Sequence, residues 1–145
     1  MSESINFFSE QIPFIIRKRG ILREWIADTA KSERTIAGDI NFIFCDDAYL
    51  HKLNKNYLKH DTLTDIITFP LMDDDCVISG DIYISIERVR ENAKIYKQPV
   101  FTELARVMIH GILHLLGYKD ETLKEKEKMR KMENHYLELL NNVLN

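Results

Sequence analysis

The sequence is poor in cysteine and has no long apolar run. Only two of its 145 residues are cysteines, Cys45 and Cys76, far apart and without CxxC spacing. This argues against a disulfide framework or a thiolate metal site and fits a reducing compartment. A transmembrane helix needs about 18 consecutive apolar residues or more, and no such run occurs. The first residues, MSESINFFSEQIPF, also lack the features of a secretory signal. The sequence therefore predicts a cytoplasmic protein that does not associate with membranes.

Basic charge is not in excess either. Twenty Lys and Arg residues oppose 23 Asp and Glu residues, which gives a net charge of −3. This argues against a protein coated in basic residues for general nucleic-acid binding. A local exception is the basic stripe, which we define as Lys52, Lys55 and Lys59 at helical spacing. The stripe fits a solvated surface and a contact with phosphates equally well.

Glycine and proline are scarce, and nothing in the sequence resembles a linker or an internal repeat. Five glycines and three prolines are spread along the chain. A chain of this length fits one hydrophobic core, since domains of about 100–200 residues are usual. We therefore expect residues 1–145 to form a single domain.

Hydrophobic periodicity predicts the order β-α-β-α-β-β-α-α-α. Strands are expected near residues 5–8, 39–45, 64–69 and 78–86. Helices are expected over residues 20–29, after Asp46, after Ser85, before Gly117 and at the carboxyl end. In the helix after Ser85, the positions predicted to face the core include Tyr96. In the helix at the carboxyl end, they include Leu139 and Val143. The fold class is α+β, a small mixed sheet with helices packed on it.

The helix before Gly117 is apolar around nearly its whole circumference, yet it carries His110 and His114. Their spacing leaves them about 40° apart around the axis and one turn apart along it, so both imidazoles can face one object. A buried imidazole without a partner is costly, whereas neutral imidazole nitrogens bind divalent metals. Taken alone, such a pair is more often a packing or surface feature. The apolar surroundings favour a metal site on this central buried helix.

A third ligand is expected from the loop after the helix. Gly117 allows the left-handed conformation that ends a helix and turns the chain back. The loop could then return Asp120, or alternatively Glu121, to the two histidines. Three protein ligands leave one position for water, which is the catalytic arrangement. Gly111 stands where the HExxH motif has its glutamate, which argues against an ordinary metalloprotease.

Three segments, in order along the chain, resemble the YbeY family. HGILHLLGYKD, residues 110–120, is similar to the family signature H-G-x-L-H-L-x-G-Y-D-H. LNKNYLKHDTLTDIITFP, residues 53–70, resembles L-N-x-x-Y-R-x-x-D-x-P-T-D-V-L-S-F-P, and SGDIYIS, residues 79–85, resembles a G-D-I-x-I block. The resemblance implies a compact α+β domain in which three histidines hold one zinc ion.

The chain departs from the family pattern at two positions. Asp120 stands in place of the third histidine, and aspartate is an acceptable oxygen ligand for zinc and for harder ions. Leu58 stands in place of an arginine that is implicated in function. Lys55 or Lys59 would supply a cation there, without the bidentate geometry of a guanidinium. Asp65 matches the family's T-D block, where it would orient water or a histidine, or simply cap the end of a strand.

The resemblance implies a single-strand-specific, metal-dependent endoribonuclease in ribosomal RNA processing. Its role would be late maturation of the 3′ end of small-subunit (16S) RNA and ribosome quality control, with ribosomal RNA and the small subunit as partners. The implied cofactor is one divalent ion, zinc, on His110, His114 and Asp120. Asp65 and Lys59 are the candidate catalytic residues, and the basic stripe is the candidate RNA contact. Two alternatives remain at this point: a hydrolase of another substrate, and a non-catalytic ribosome-associated factor with a structural metal.

Overall fold

The order of strands and helices is the one that hydrophobic periodicity predicts. The structure, a computed structural model, describes residues 4–57, 64–71 and 76–145. In chain order the elements are β1 (Ser4–Ser9), α1 (Arg19–Ser32), β2 (Ile36–Cys45), α2 (Asp47–Tyr57), β3 (Ile66–Pro70), β4 (Val77–Ser85), α3 (Ile86–Ile95), α4 (Val100–Leu115) and α5 (Leu123–Leu144). Asp46 accepts a hydrogen bond from the Tyr49 N–H, and Ser85 accepts one from the Arg88 N–H. Both residues therefore cap the helices that were predicted to follow them.

The sheet is mixed, and its strands lie in the order β1-β2-β4-β3. β1 pairs in parallel with β2, and β2 in parallel with β4. β3 pairs with β4 in the antiparallel sense. This confirms the predicted α+β class with a small mixed sheet.

The two faces of the sheet carry cores of different size. On one face, every second strand residue, such as Phe42 and Ile82, belongs to the main core together with residues of α1, α3, α4 and α5. Trp25 of α1 is buried in this core. The opposite face contributes Cys45 and Ile67 to a smaller core that is closed by Leu50 of α2. Because side chains alternate along a strand, α2 and α4 lie on opposite faces of the sheet.

Helix α4 lies very close to the sheet, and Gly111 permits that approach. A Cβ atom at Gly111 would lie 3.0 Å from Ile66 Cδ1 on β3 and 3.0 Å from Ile82 Cγ2 on β4. Side chains rarely tolerate such contacts, so a larger residue would push the helix away from the sheet. The position where HExxH motifs carry a glutamate therefore has no room for one here.

Three of the predicted inward positions are wrong. Tyr96 is 58% exposed because α3 ends at Ile95 and Tyr96 already belongs to the following turn. In α5 the buried stripe runs through Met129, Glu133, Tyr136, Leu137 and Leu140, while Leu139 and Val143 are exposed. Each residue turns an α-helix by about 100°, so Leu139 points well away from Leu140. Among the described residues, no helix combines the length and the apolar character that a bilayer crossing requires.

Candidate metal centre

Two histidines of α4 point at one place. His110 and His114 lie one helical turn apart, and their Nε2 atoms are 2.9 Å from each other. Both side chains are only partly exposed, at 20% and 30%. Burial lowers the pKa of His114, and the neighbouring His110 lowers it further. Two nitrogen atoms this close cannot comfortably both carry a proton, which favours unprotonated nitrogens that face a shared cation.

The loop after α4 returns Asp120 to this pair. Its Oδ2 atom lies 3.2 Å from His110 Nε2 and 3.6 Å from His114 Nε2. Within the ranges that the structure describes, these three side chains are the group of His, Cys, Asp and Glu residues whose ligand atoms converge for a metal. Glu121, the alternative considered from the sequence, is exposed and is not a member of this group.

Three anchors hold the loop that carries Asp120. Gly117 has a φ of 103°, a left-handed conformation that favours glycine, so the chain reverses where the sequence predicted. The Tyr118 hydroxyl donates a 2.7 Å hydrogen bond to the Glu33 carboxylate at the end of α1. Beyond the aspartate, Thr122 and Glu125 form a capping box at the start of α5. Asp120 is therefore held in position by anchors that precede it and follow it in the sequence.

The donor set fits one divalent ion. Two atoms that each lie about 2.1 Å from an ion can be at most about 4.2 Å apart. The three separations, 2.9, 3.2 and 3.6 Å, all fall within that limit. Two imidazole nitrogens and one carboxylate oxygen suit zinc and other first-row ions. Three protein ligands also leave a position that a water or a substrate oxygen can take.

A buried glutamate on α5 completes the centre, and sequence reasoning missed it. Glu133 is 6% exposed, and its Oε2 atom accepts a 2.7 Å hydrogen bond from His110 Nδ1. Its other oxygen forms a 2.9 Å ion pair with Arg106. An ionised carboxylate only accepts hydrogen bonds, so Nδ1 carries the hydrogen and Nε2 of the neutral ring is left free to bind metal. Carboxylates commonly fix metal-binding histidines in this way.

The charges of this pair support an ionised Glu133 that keeps the hydrogen on His110 Nδ1. Burial opposes ionisation of Glu133, but the hydrogen bonds from His110 and Arg106 outweigh it and lower its pKa. Burial likewise opposes protonation of His110, but the Glu133 carboxylate outweighs it and raises the pKa of the imidazole. The sequence did contain a signal for Glu133. It lies four residues after Met129 and four before Leu137, as the one acid in an otherwise apolar stripe.

The structure places Asp65 beside the centre. Asp65 precedes β3, where its backbone carbonyl accepts a hydrogen bond from the Ser85 N–H. Its side chain lines a polar cavity of about 480 Å³, together with His110 and Asp120. Burial raises the pKa of its carboxyl group. Asp65 thus faces the same space as two of the candidate ligands.

The structure does not bring the basic stripe to the same space. Lys52 and Lys55 are exposed on α2, where they line a separate open cavity. Because α2 and α4 lie on opposite faces of the sheet, neither lysine lines the cavity beside His110. Lys59 and Leu58 lie outside the described residues.

Comparison with known proteins decides the family. The family model described as Endoribonuclease YbeY matches residues 6–141. The chain belongs to the YbeY family. A relative from Amoebophilus asiaticus, named Endoribonuclease YbeY, is 50% identical over 142 residues, which cover 98% of this chain and 96% of the relative. Another of that name, from Christiangramia forsetii, is 50% identical over 135 residues, 93% of each chain.

A solved structure has the same fold. The solution structure of TM1509 from Thermotoga maritima superposes on this chain with a TM-score of 0.66 at 31% identity, covering 94% of this chain and 88% of that one. The resemblance found in three short segments therefore extends over nearly the whole YbeY chain. Its signature segment, residues 110–120, is the one that supplies all three converging side chains.

Proposed function

We propose that this YbeY family chain is a metal-dependent endoribonuclease that cleaves single-stranded RNA. The observation that carries the proposal is the convergence of His110, His114 and Asp120 beside a polar cavity. Relatives at 50% identity carry the name Endoribonuclease YbeY. That name favours RNA cleavage over both alternatives considered from the sequence, a hydrolase of another substrate and a non-catalytic factor.

In this proposal each residue of the centre has a role. His110, His114 and Asp120 hold one divalent ion, zinc. When bound, such an ion stabilises the charge that develops on a phosphoryl oxygen and lowers the pKa of water. Glu133 fixes the orientation of His110 through Nδ1. Asp65 accepts the proton of the attacking oxygen, because burial raises its pKa in the direction that a general base near neutral pH requires.

The setting of the reaction is part of the proposal. We propose ribosomal RNA as the substrate, at the 3′ end of the small-subunit (16S) RNA, with the small ribosomal subunit as partner and the cytoplasm as location. Residues 1–145 would act as a single domain, since the family match runs over residues 6–141. Lys52 and Lys55 would contact the RNA backbone away from the metal, and Lys59, the third residue of the basic stripe, would contact the RNA and supply a cation near the scissile phosphate.

RNA cleavage by the purified protein tests the activity. Single-stranded RNA should be cut internally, duplex RNA of the same sequence should resist, and a chelator should stop the reaction. Addition of zinc to the chelated protein should restore it. A metal-loaded protein that leaves single-stranded RNA intact would exclude the proposed function.

Asp120 variants test the third ligand. Asp120→Ala should weaken metal binding by about 10–100-fold or more, because loss of an outer-shell partner alone has that effect. Asp120→His should retain zinc or bind it more tightly, since imidazole is a good zinc ligand. Glu121→Ala, at the neighbouring exposed position, is the control. Competition titration against a chromogenic chelator measures the affinities, and wild-type affinity in Asp120→Ala would rule out this ligand.

Charge reversal of the basic stripe tests its contact with RNA. Lys52→Glu combined with Lys55→Glu should raise the KM for RNA by about 5–30-fold, as expected for a loss of about 1–2 kcal/mol of RNA-binding free energy. The slope of log KM against log salt should become shallower by about 1.4, since each single-strand phosphate contact contributes about 0.7. If RNA cleavage is unaltered and a small phosphodiester is hydrolysed rapidly, the alternative of a hydrolase that acts on another substrate is favoured instead.

A further inference from the structure

The polar cavity beside the metal centre extends beyond the residues discussed so far. His110 and Asp120 form part of its wall. The wall continues over the end of α3 and the turn before α4, with Asn92, Tyr96 and Gln98, and over the first half of α5, with Arg130. A volume of about 480 Å³ lies within the range of about 300–1,000 Å³ that is usual for ligand sites. The cavity therefore has room for a ligand next to the metal.

The outer wall carries an exposed aromatic ring and an exposed guanidinium. Tyr96 is 58% exposed, although a large aromatic side chain is stabilised by burial. The turn that presents it passes through Lys97, whose φ of 54° is unusual for a residue other than glycine. Arg130 is exposed on α5. Within residues 4–57, 64–71 and 76–145, no side-chain hydrogen bond or salt bridge engages either Tyr96 or Arg130. Both are thus available to a ligand.

The chemistry of this wall matches an unpaired nucleotide. Single-stranded RNA is bound by aromatic rings that stack on bases, by cations that contact phosphates and by polar groups that meet base edges. The wall supplies all three kinds of group: the aromatic ring of Tyr96, the cation of Arg130, and the amides of Asn92 and Gln98. Asp65 and the buried Glu103 also line the cavity, and their carboxylates repel phosphate. A neutral base therefore suits the interior, and a phosphate suits the rim near Arg130.

We propose that this cavity is a subsite for one unpaired nucleotide of the RNA substrate, beside the phosphodiester that is cleaved. In this subsite Tyr96 stacks on the base and Arg130 contacts the adjoining phosphate. The inference rests on the endoribonuclease function proposed above and adds to it the residues that select single-stranded RNA at the cleavage position.

The test compares four variants with two matched controls. The variants are Tyr96→Ala, Tyr96→Phe, Arg130→Ala and the double alanine variant. The controls are Ile95→Ala and Lys131→Ala, which change exposed neighbours outside the cavity wall. For the metal-loaded proteins, KM and kcat are measured on a short single-stranded RNA. The equilibrium Kd for the same RNA is then measured by fluorescence anisotropy with chelator present, so that binding is recorded without cleavage. Metal content and circular dichroism confirm that each variant is loaded and folded.

Tyr96→Ala should raise both Kd and KM by roughly 5–150-fold, the range for loss of one stacked base. Tyr96→Phe should stay within about twofold of wild type, because the ring remains. Arg130→Ala should raise Kd and make its salt dependence shallower by about 0.7. If the wild type cleaves RNA while Tyr96→Ala and Arg130→Ala bind it like the controls, the subsite is wrong and the endoribonuclease function stands. If the loaded wild type cleaves no RNA, the function itself fails.

Discussion

Replacing His110 or His114 by alanine is expected to abolish RNA cleavage and metal binding together. The two Nε2 atoms are 2.9 Å apart, and each is one of three atoms that would contact the ion. Removing one leaves two ligands, which do not hold a catalytic ion. Because an ion contributes several kcal/mol of charge stabilisation in such reactions, kcat/KM should fall by at least about 100-fold.

His135→Ala is the control for these variants. His135 lies on α5 with an exposed side chain and is not among the converging residues. Its replacement should change neither metal content nor cleavage rate. Initial rates on a fluorescent single-stranded RNA, with the same total zinc in every assay, give the comparison. Cleavage by His114→Ala at the wild-type rate would contradict a catalytic role for this centre.

Replacing Glu133 by alanine should weaken metal binding by about 10–100-fold, the usual effect of losing the hydrogen-bond partner of a ligand histidine. Without the 2.7 Å bond to Nδ1, the His110 ring is free to rotate and to place its hydrogen on Nε2. The Arg106 guanidinium also loses its 2.9 Å ion pair. Loss of a partly buried charged hydrogen bond should cost about 1–3 kcal/mol of unfolding free energy.

Two further variants separate the effect on metal from the effect on stability. Arg106→Ala removes the same ion pair but leaves the bond between Glu133 and His110 in place. It should therefore lower stability with a smaller loss of metal affinity than Glu133→Ala. Glu138→Ala, at an exposed position of the same helix, should change neither quantity. Zinc titration and urea unfolding measure the two effects. Equal zinc affinity in Glu133→Ala and Glu138→Ala would show that this carboxylate does not position the histidine.

Most of the fold could be predicted because the local signals agree with the tertiary structure. Alternation of apolar residues marks strands that bury one face, and Asp46 and Ser85 stand where helix caps are needed. Errors occur where a boundary depends on tertiary contacts. β2 begins at Ile36, three residues earlier than its alternation predicts, because Ile36 and Ala37 pair with the start of β4. Periodicity alone carries no information about such pairing.

The candidate ligands could be predicted for a different reason. His110 and His114 are related by helical geometry, and an acid follows a glycine that reverses the chain, so short-range rules predict a third ligand from Asp120 or Glu121. The resemblance to the family signature favoured Asp120 of the two. Glu133 and Arg106 belong to different helices and meet only in the folded structure. The anchoring of the loop that carries Asp120 likewise depends on a contact distant in sequence, the hydrogen bond from Tyr118 to Glu33.

Of the two departures from the family pattern that the sequence resembles, only the one at Asp120 falls among the described residues. At the third ligand position, the loop brings the Asp120 carboxylate within 3.6 Å of both imidazole nitrogens, so an aspartate can take the place of a histidine there. At position 58 the chain has a leucine, where the resemblance implies an arginine. Among the described residues, the cations that line the cavity beside His110 are Arg106, which is paired with Glu133, and Arg130. Of these two guanidinium groups, the one on α5 is exposed and the one on α4 is engaged by Glu133.

Elemental analysis of the purified protein tests the central claim most directly. The wild type, expressed and purified without chelators, should carry about one divalent ion per chain, as expected for one three-ligand site. His110→Ala, His114→Ala and Asp120→Ala should each lose most of that ion while their circular dichroism spectra stay like the wild type's. The same metal content in all four folded proteins would contradict a shared ion on these side chains.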